Sequence, residues 1–217
     1  MFNNSKYGNL LTVILVIAII AIIGVVGIIG YRIFKAYSTD SGAAEAANRF
    51  EFTVNPENVI EQNTTKGEIA SGNDNTATDN QKTTTYKGFE VVGTIQIPSI
   101  NVKYPILEKL TTKSLETSVV LLYTSNGLNN VGNSVIIGHN YRNGTMFSDV
   151  KNLENGSIIY ITDMQGRKVK YTVYNIYRAS GSESSYMTRN TNGKREISLS
   201  TCTNDSKART IVLARED

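Results

Sequence analysis

The feature that most constrains this chain is a long uncharged stretch near its start, Leu10 to Gly30, which reads LLTVILVIAIIAIIGVVGIIG. Thr12 is its only polar side chain. As an α-helix rising about 1.5 Å per residue, the stretch would span about 30 Å, the thickness of a bilayer's hydrocarbon core. A cleaved signal peptide has a shorter apolar region of about 7–15 residues. We therefore predict a transmembrane signal anchor, with a buried core helix as the alternative.

The charges that flank this stretch are nearly balanced. Lys6 precedes it, and Arg32 and Lys35 follow it, so the positive-inside rule gives little preference for either orientation. We expect a single span of the cell membrane, with residues 1–9 in the cytoplasm and the domain that follows the anchor on the extracellular side.

The segment after the anchor has the composition of a linker. Glu61 to Thr85 is rich in Thr, Asn, Gly and charged residues, and Ile69 is its only large apolar residue. Such a segment cannot bury enough surface to offset the entropy cost of ordering it. We expect residues 31–85 to form a juxtamembrane segment and a flexible stalk, with a short helix beginning at Asp40 or Ser41. The folded domain would then comprise residues 86–217.

This domain alternates short apolar runs with turn-forming sequences. GFEVVGTIQIP, NSVIIGHN, REISLSTCT and ARTIVLARE have the composition and alternation of strands, and ENGS, DMQGR and NTNGKR are turn signals. Only TKSLETSVVLLY and MFSDVKNL have helical character. We therefore predict a mainly all-β domain, a barrel or a sandwich, with one or two short helices.

Composition limits the chemistry that the chain can perform. The net charge is +3, from 22 basic and 19 acidic residues, and the basic residues are interspersed with acidic ones, which disfavours nucleic-acid binding. Cys202 is the only cysteine and His139 the only histidine. The chain therefore lacks the cysteines for an internal disulfide or a cysteine-rich metal site, and we expect no metal ligands.

Cys202 lies at the end of the strand-like run EISLSTC. The aliphatic side chains of this run share one face with Thr201, whereas Cys202 shares the other face with two serines. The sequence TNDSK that follows contains turn formers, so a hairpin would place Arg209 opposite Cys202, with Cβ atoms about 5 Å apart. A guanidinium in that position favours a thiolate and can donate hydrogen bonds to an oxyanion.

His139 ends the apolar run SVIIGH and precedes the turn-rich NYRNG, a position typical of the rim of a barrel. An isolated histidine is more often a surface residue or a hydrogen-bonded core residue. Here it is the only histidine in a chain with only one cysteine. Because a cysteine and a histidine are the smallest set that supplies a nucleophile and an acid–base group, the pair is the candidate catalytic site.

These segments resemble the sortases, the membrane-anchored transpeptidases of Gram-positive bacteria. The resemblance rests on GHNYRNGTMFSD around His139, SLSTCT around Cys202 and Arg209 at the start of the next strand, and it covers about Phe89 to Ala214. The family's Thr-Leu-x-Thr-Cys signature has Ser198 in its first position here. The histidine motif looks like the class B version, but the interval from His139 to Cys202 is short for class B, so the class stays open.

The resemblance implies a fold and a set of roles. It implies an eight-stranded β-barrel as the catalytic domain, with Cys202 as the nucleophile, His139 as the proton-transfer group and Arg209 as the residue that holds the substrate and stabilises the oxyanion. Beside these, Thr201 and Ser200, together with Asn140, are the candidate substrate-binding residues. By the same resemblance, no cofactor is needed.

The resemblance also implies partners. The donor would be a surface protein with a C-terminal LPXTG-like sorting signal, and the acceptor would be an amine of a peptidoglycan precursor or a pilin lysine. Two alternatives remain from the residues themselves. One is an exported cysteine hydrolase that releases its acyl group to water, and the other is a catalytically inert, membrane-tethered β-barrel that serves as a binding module.

Overall fold

The computed structural model describes residues 5–55 and 84–216, with side chains described for residues 11–31, 40–55 and 84–216. The chain divides into two compact units, Met1–Thr39 and Asp40–Asp217. Apart from its last two residues, the expected stalk Glu61–Thr85 lies outside the described residues.

Helix α1 runs from Ser5 to Val54. Its segment Leu11–Tyr31 has a mean hydropathy of 3.3 and no buried side chain, so it is long and apolar enough to cross a membrane. The helix continues through Asp40 and Ser41, and the prediction that a separate helix begins there is wrong. Residues that favour a helix start are tolerated inside a helix, because they cost only a fraction of a kcal/mol and no proline interrupts this stretch.

Nine strands and one further α-helix follow within the described residues. They are β1 (Thr85–Tyr86), β2 (Phe89–Ile97), β3 (Val102–Leu107), α2 (Thr112–Thr117), β4 (Val119–Thr124), β5 (Gly132–Ile137), β6 (Ile158–Asp163), β7 (Lys168–Ser180), β8 (Arg195–Cys202) and β9 (Ala208–Glu216). Single turns of 3₁₀-helix at Pro98–Ile100 and Val150–Asn152 complete the set. Helix α2 begins with a capping box, in which Thr111 and Ser114 satisfy each other's backbone N–H groups.

The sheet closes on itself, and the predicted eight-stranded β-barrel is confirmed. The strand order is β1-β2-β3-β4-β5-β8-β9-β7-β6, and β2 also pairs with β6, so strands β2 to β9 form a closed ring. The two-residue strand β1 extends the sheet beside β2. The pairs β3–β4 and β5–β8 are parallel, and the others are antiparallel.

Buried side chains of the strands form the main core. On β8 and β9, alternate residues contribute to it, namely Ile197, Leu199, Val212 and Ala214, which are all fully buried. The core includes further large side chains of the other strands, among them Ile95, Ile97, Tyr104, Ile106, Leu107, Ile136, Ile159, Ile161 and Tyr171. On β8 and β9, the residues between these core positions point to the other face of the sheet.

A second group of buried side chains covers part of that other face. This outer cluster consists of Val135, Ala179, Tyr186, Ile211 and Leu213. Tyr186 comes from the connection between β7 and β8, residues 181–194, which therefore packs against the sheet. The outer face of β8 and β9 is therefore largely buried here, although β8 contributes the polar residues Ser198 and Ser200 to it.

The last turns of α1 belong to the barrel's compact unit. Ala43, Ala47 and Phe50, which recur at helical spacing, are fully buried. The compact unit consequently begins at Asp40 rather than at Tyr86, the boundary expected from the sequence. The difference arises because a short apolar stripe in this helix has a partner surface that the sequence does not reveal.

Polar contacts also join α1 to the barrel. The carboxylate of Glu51 accepts a hydrogen bond from the hydroxyl of Thr94 at 2.8 Å and from the ammonium group of Lys103 at 2.9 Å. Both partners lie on the barrel strands β2 and β3. The helix is thus attached through both its apolar and its charged side chains.

Two phenylalanines of this helix provide a direct test of its docking. Phe50 is fully buried, whereas Phe52 is 55% exposed. In a chain that begins at Asp40, Phe50→Ala should lower the free energy of unfolding by about 3–5 kcal/mol, the usual cost of truncating a buried phenylalanine. Phe52→Ala should change it by less than about 0.5 kcal/mol. Urea unfolding measures both, and equal effects of the two substitutions would contradict the docking of α1.

Candidate active site

The β8–β9 hairpin brings Cys202 and Arg209 together. In its antiparallel register the two residues are direct partners, at the last paired position before the turn. The backbone N–H of Thr203 donates to the carbonyl of Ala208 at 2.9 Å, which closes the turn. The predicted hairpin and its register are therefore present.

The turn itself is fixed by one carboxylate. Asp205 accepts hydrogen bonds from the hydroxyl of Thr203 and, at 2.8 Å, from the guanidinium of Arg178 on β7. These two contacts hold the pKa of Asp205 well below its usual range. The sequence offered no sign of the Arg178 contact, because β7 lies far from the turn along the chain.

The side chains of Cys202 and Arg209 are in contact. The Nη1 atom of Arg209 lies 3.7 Å from the Sγ atom of Cys202, and the cysteine is partly exposed. Both side chains lie beyond the end of the outer cluster. A guanidinium in this place can donate both to the sulfur and to an oxygen atom that binds beside it.

Strand β5 places His139 next to Cys202. β5 runs parallel to β8, and its last paired residues are Ile137 and Ser200. The pairing continues past the strand end, because the N–H of Gly138 donates to the carbonyl of Ser200 at 3.3 Å. Continuing the register by two residues sets His139 beside Cys202 on the neighbouring strand, where strands are about 4.8 Å apart.

The imidazole of His139 lies in a partly buried environment. The ring of Tyr141 is 4.9 Å from it, tilted by 38°. Burial lowers the pKa of His139 below its ordinary value of 6.5, and the negative charge of Glu116 in α2 partly opposes this effect. Sequence reasoning had not singled out Tyr141 or Glu116, although Tyr141 is only two residues from the histidine.

Gly138 lets the histidine segment approach the barrel closely. A Cβ atom at this position would lie 2.8 Å from Cδ2 of Phe147 and 3.0 Å from Cγ1 of Val119. Phe147 is fully buried, so it has no room to move away. Only glycine fits here, directly before His139.

The three candidate substrate-binding residues all make contacts within the protein. The hydroxyl of Thr201 donates to the carbonyl of Gly138 at 2.8 Å, which links β8 to the histidine segment. The amide of Asn140 donates to the carbonyl of Cys202 at 3.0 Å and to the side chain of Asn204 at 2.9 Å. Their contacts tie together the strand ends that carry His139 and Cys202, and their part in substrate binding stays a prediction.

Ser200 is buried beneath the β7–β8 connection. It is 1% exposed, and the hydroxyl of Tyr186 donates to it at 3.4 Å. Ser198 is covered in the same way and accepts a hydrogen bond from the guanidinium of Arg189. Arg189 also pairs with Glu196 at 2.6 Å, so a partly buried ion pair holds this connection over β8.

A cavity of about 400 Å³ lies near the site but on the other face of the hairpin. Its lining includes Thr201, Thr203 and Thr210, whose side chains point away from the face that carries Cys202, and also Asn140 and Arg178. Cys202, His139 and Arg209 are not among the residues that line it. Within residues 5–55 and 84–216, no three His, Cys, Asp or Glu side chains are grouped so as to hold a metal ion.

Comparisons with known proteins agree on one family. A family model described as the sortase domain matches residues 95–217. Sortase A of Bacillus anthracis is 31% identical over 114 residues, which cover 52% of this chain and 52% of that protein. The chain therefore spans about half the length of this curated relative.

Solved structures lead to the same family. Sortase A of Corynebacterium diphtheriae superposes with a TM-score of 0.54 and 30% identity, over 59% of this chain and 61% of that one. Sortase C-1 of Actinomyces oris superposes with a TM-score of 0.54 and 28% identity, over 58% of this chain and 74% of that one. A sortase D5 transpeptidase of Clostridium perfringens superposes with a TM-score of 0.58, over 82% of this chain and 99% of that one. Its sequence identity is 23%, so this similarity supports the fold alone.

These relatives carry three different class letters, so they do not assign a class, and the class B likeness of the histidine motif stays a prediction. The family assignment does not depend on the class. The family model covers more than half of the chain, including all of β3 to β9 and the segments around His139, Cys202 and Arg209. The chain belongs to the sortase family.

Proposed function

We propose that this protein is a membrane-anchored cysteine transpeptidase that cleaves a C-terminal, LPXTG-like sorting signal and transfers the new carboxyl end to an amine. The observation that carries the proposal is the contact of 3.7 Å between Arg209 and Cys202 at the end of a sortase barrel, with His139 on the adjacent strand end. An acyl transfer needs a nucleophile, an acid–base group and a donor to the oxyanion, and these three residues can supply them.

In the first half of the reaction, His139 takes the proton of the Cys202 thiol, and the sulfur attacks the backbone carbonyl carbon of the signal's threonine. A carbon–sulfur bond forms, and the guanidinium of Arg209 donates hydrogen bonds to the oxyanion. The bond between that carbon and the next residue's nitrogen then breaks. The imidazolium of His139 gives its proton to the leaving amine, and a thioester remains on Cys202.

In the second half, an amine attacks the thioester. His139, now neutral, takes a proton from the attacking nitrogen, and a new amide bond forms as the carbon–sulfur bond breaks. The sulfur of Cys202 then regains its proton from His139. The acceptor is an amine of a peptidoglycan precursor or a pilin lysine. These steps need no cofactor.

The apolar segment Leu11–Tyr31 anchors the enzyme in the cell membrane, with the N-terminus in the cytoplasm and the barrel outside. The barrel must lie outside in order to meet both a surface protein and a cell-wall amine. Surface proteins that carry a sorting signal are therefore the partners expected for this enzyme.

Substitution of the two proposed reactive residues should separate their roles. Cys202→Ala should abolish peptide cleavage and the acyl-enzyme, because the chain has no other thiol. His139→Ala should keep the thiol but remove the proton donor, so turnover should fall by about 10²-fold or more. Peptide assays with and without an amine acceptor, together with mass spectrometry of the protein, measure both effects. Product formation that does not depend on the amine would instead indicate a hydrolase.

Arg209 should act through the geometry of its guanidinium as well as its charge. Arg209→Ala should reduce turnover by about 10²–10³-fold, the usual effect of removing a donor to an oxyanion. Arg209→Lys should remain well below wild type, because lysine keeps the charge but lacks the planar fork of donors.

Arg215 on the same strand provides the matched control. In the strand register it lies opposite Glu196, at the far end of β8 from Cys202. At about 3.3 Å per residue, its position is about 20 Å from that of Arg209, so Arg215→Ala should leave turnover near the wild-type value. Wild-type turnover in both Arg209 variants would remove that residue from the mechanism.

The proposed orientation can be tested on whole cells. Protease added to intact protoplasts should digest the barrel domain, because it lies outside the membrane. A domain that becomes sensitive only after lysis would show the reverse orientation, and it would also contradict the proposed partners. A cytoplasmic protein probed in the same samples verifies that the protoplasts stayed intact.

A further inference from the structure

The position of His139 depends on how the loop after it closes. The loop runs from His139 to Phe147, and the N–H of Phe147 donates to the carbonyl of His139 at 3.1 Å. Inside this contact, Asn140 and Met146 form an isolated antiparallel bridge. The backbone on either side of the histidine is therefore held by the residues at the end of the loop.

Met146 has a conformation that needs support from its surroundings. It is 1% exposed and has a φ of 50°, in the left-handed region that non-glycine residues seldom adopt. Its backbone N–H group is buried and therefore needs a hydrogen-bond acceptor within the protein. The partner is the hydroxyl of Tyr104, which accepts this hydrogen bond at 2.9 Å.

Tyr104 reaches the loop from inside the barrel. It lies on β3, it is fully buried, and burial together with the hydrogen bond to Asp40 raises the pKa of its hydroxyl. The hydroxyl therefore keeps its single proton, which it donates to Oδ1 of Asp40 in α1. A tyrosine hydroxyl can donate one hydrogen bond and accept another, and both capacities are used here.

These contacts form one chain from the helix to the histidine. Asp40 is the first residue of the compact unit that includes the barrel, and α1 packs on the barrel through Phe50 and its neighbours. A buried network of this kind orients its members more strictly than separate contacts would, because each hydrogen bond fixes the geometry of the next.

We propose that Tyr104 and Asp40 are positioning residues for His139, and that the contact of Asp40 in α1 with Tyr104 holds the histidine loop in its active geometry. Tyr104 acts by securing Met146, and Asp40 acts by orienting the Tyr104 hydroxyl. The effect on catalysis rests on the proposed transpeptidase function, whereas the effect on the histidine's surroundings does not.

The test compares Tyr104→Phe and Asp40→Ala with Glu51→Gln in the full chain, purified in detergent. Glu51 also joins α1 to the barrel, but through Thr94 and Lys103 rather than through the histidine loop. Because His139 is the only histidine, isotope labelling of histidine gives one set of imidazole resonances in an NMR spectrum. Turnover of a sorting-signal peptide is measured on the same samples.

We expect Tyr104→Phe to shift or broaden the imidazole resonances and to raise the pKa of His139 towards 6.5, because a looser loop admits water around the ring. Its kcat should fall by about 10- to 100-fold with little change in KM, as expected when a reacting group is misplaced. Asp40→Ala should cause the same changes to a smaller extent. Glu51→Gln should lower the unfolding temperature and leave the imidazole resonances and kcat unchanged.

Wild-type resonances and kcat in Tyr104→Phe would overturn the proposal, and so would equal changes in Glu51→Gln. If Tyr104→Phe does not fold, Asp40→Ala provides the test in its place, because it keeps the hydroxyl of Tyr104 and the packing of its ring in the core. Absence of turnover in the wild type would count against the proposed function alone, because the resonances would still report on the position of the histidine.

Discussion

The site depends on the two-residue period of strands that pair across the β5–β8–β9 part of the barrel. Leu199 and Val212 are partners in the register and both point into the main core, so Cys202 and Arg209, at odd intervals from them, point to the opposite face. A shift of one residue in this pairing would turn one of these two side chains towards the core. The burial of the aliphatic residues therefore also fixes the orientation of the thiol and the guanidinium.

The alternation of side chains along a strand also decides which parts of the site could be predicted from the sequence. The hairpin that joins Cys202 to Arg209 is local in sequence. The alternation of its apolar and polar residues, and the residues of its turn, are visible within residues 196–214. The place of His139 depends on a parallel pairing between strands that lie far apart in the chain, and residue pattern alone did not indicate it. Residue type and the family resemblance both made His139 a candidate for the site, and the register of β5 and β8, continued by two residues, sets it beside the cysteine.

Burial by distant segments was not predictable in the same way. Ser198 and Ser200 look like the polar side of a half-exposed strand, yet the connection between β7 and β8 covers them with Tyr186 and Arg189. The end of α1 likewise has Ala43, Ala47 and Phe50 at helical spacing, a stripe too short to stand out beside a segment with the composition of a linker. In both cases the partner surface decides the outcome, and it belongs to another part of the chain.

The outer cluster also determines which part of this face stays exposed. Leu213 and Ile211 pair with Ser198 and Ser200, and this part of the outer face is covered. The next outward pair, Cys202 and Arg209, lies beyond the cover, and Cys202 is partly exposed. In the proposed reaction, an acyl donor would therefore reach the sulfur at the edge of a packed surface, beside the guanidinium of Arg209. Such an edge would strengthen the hydrogen bonds of Arg209 to a developing oxyanion, because the packed side excludes part of the competing water.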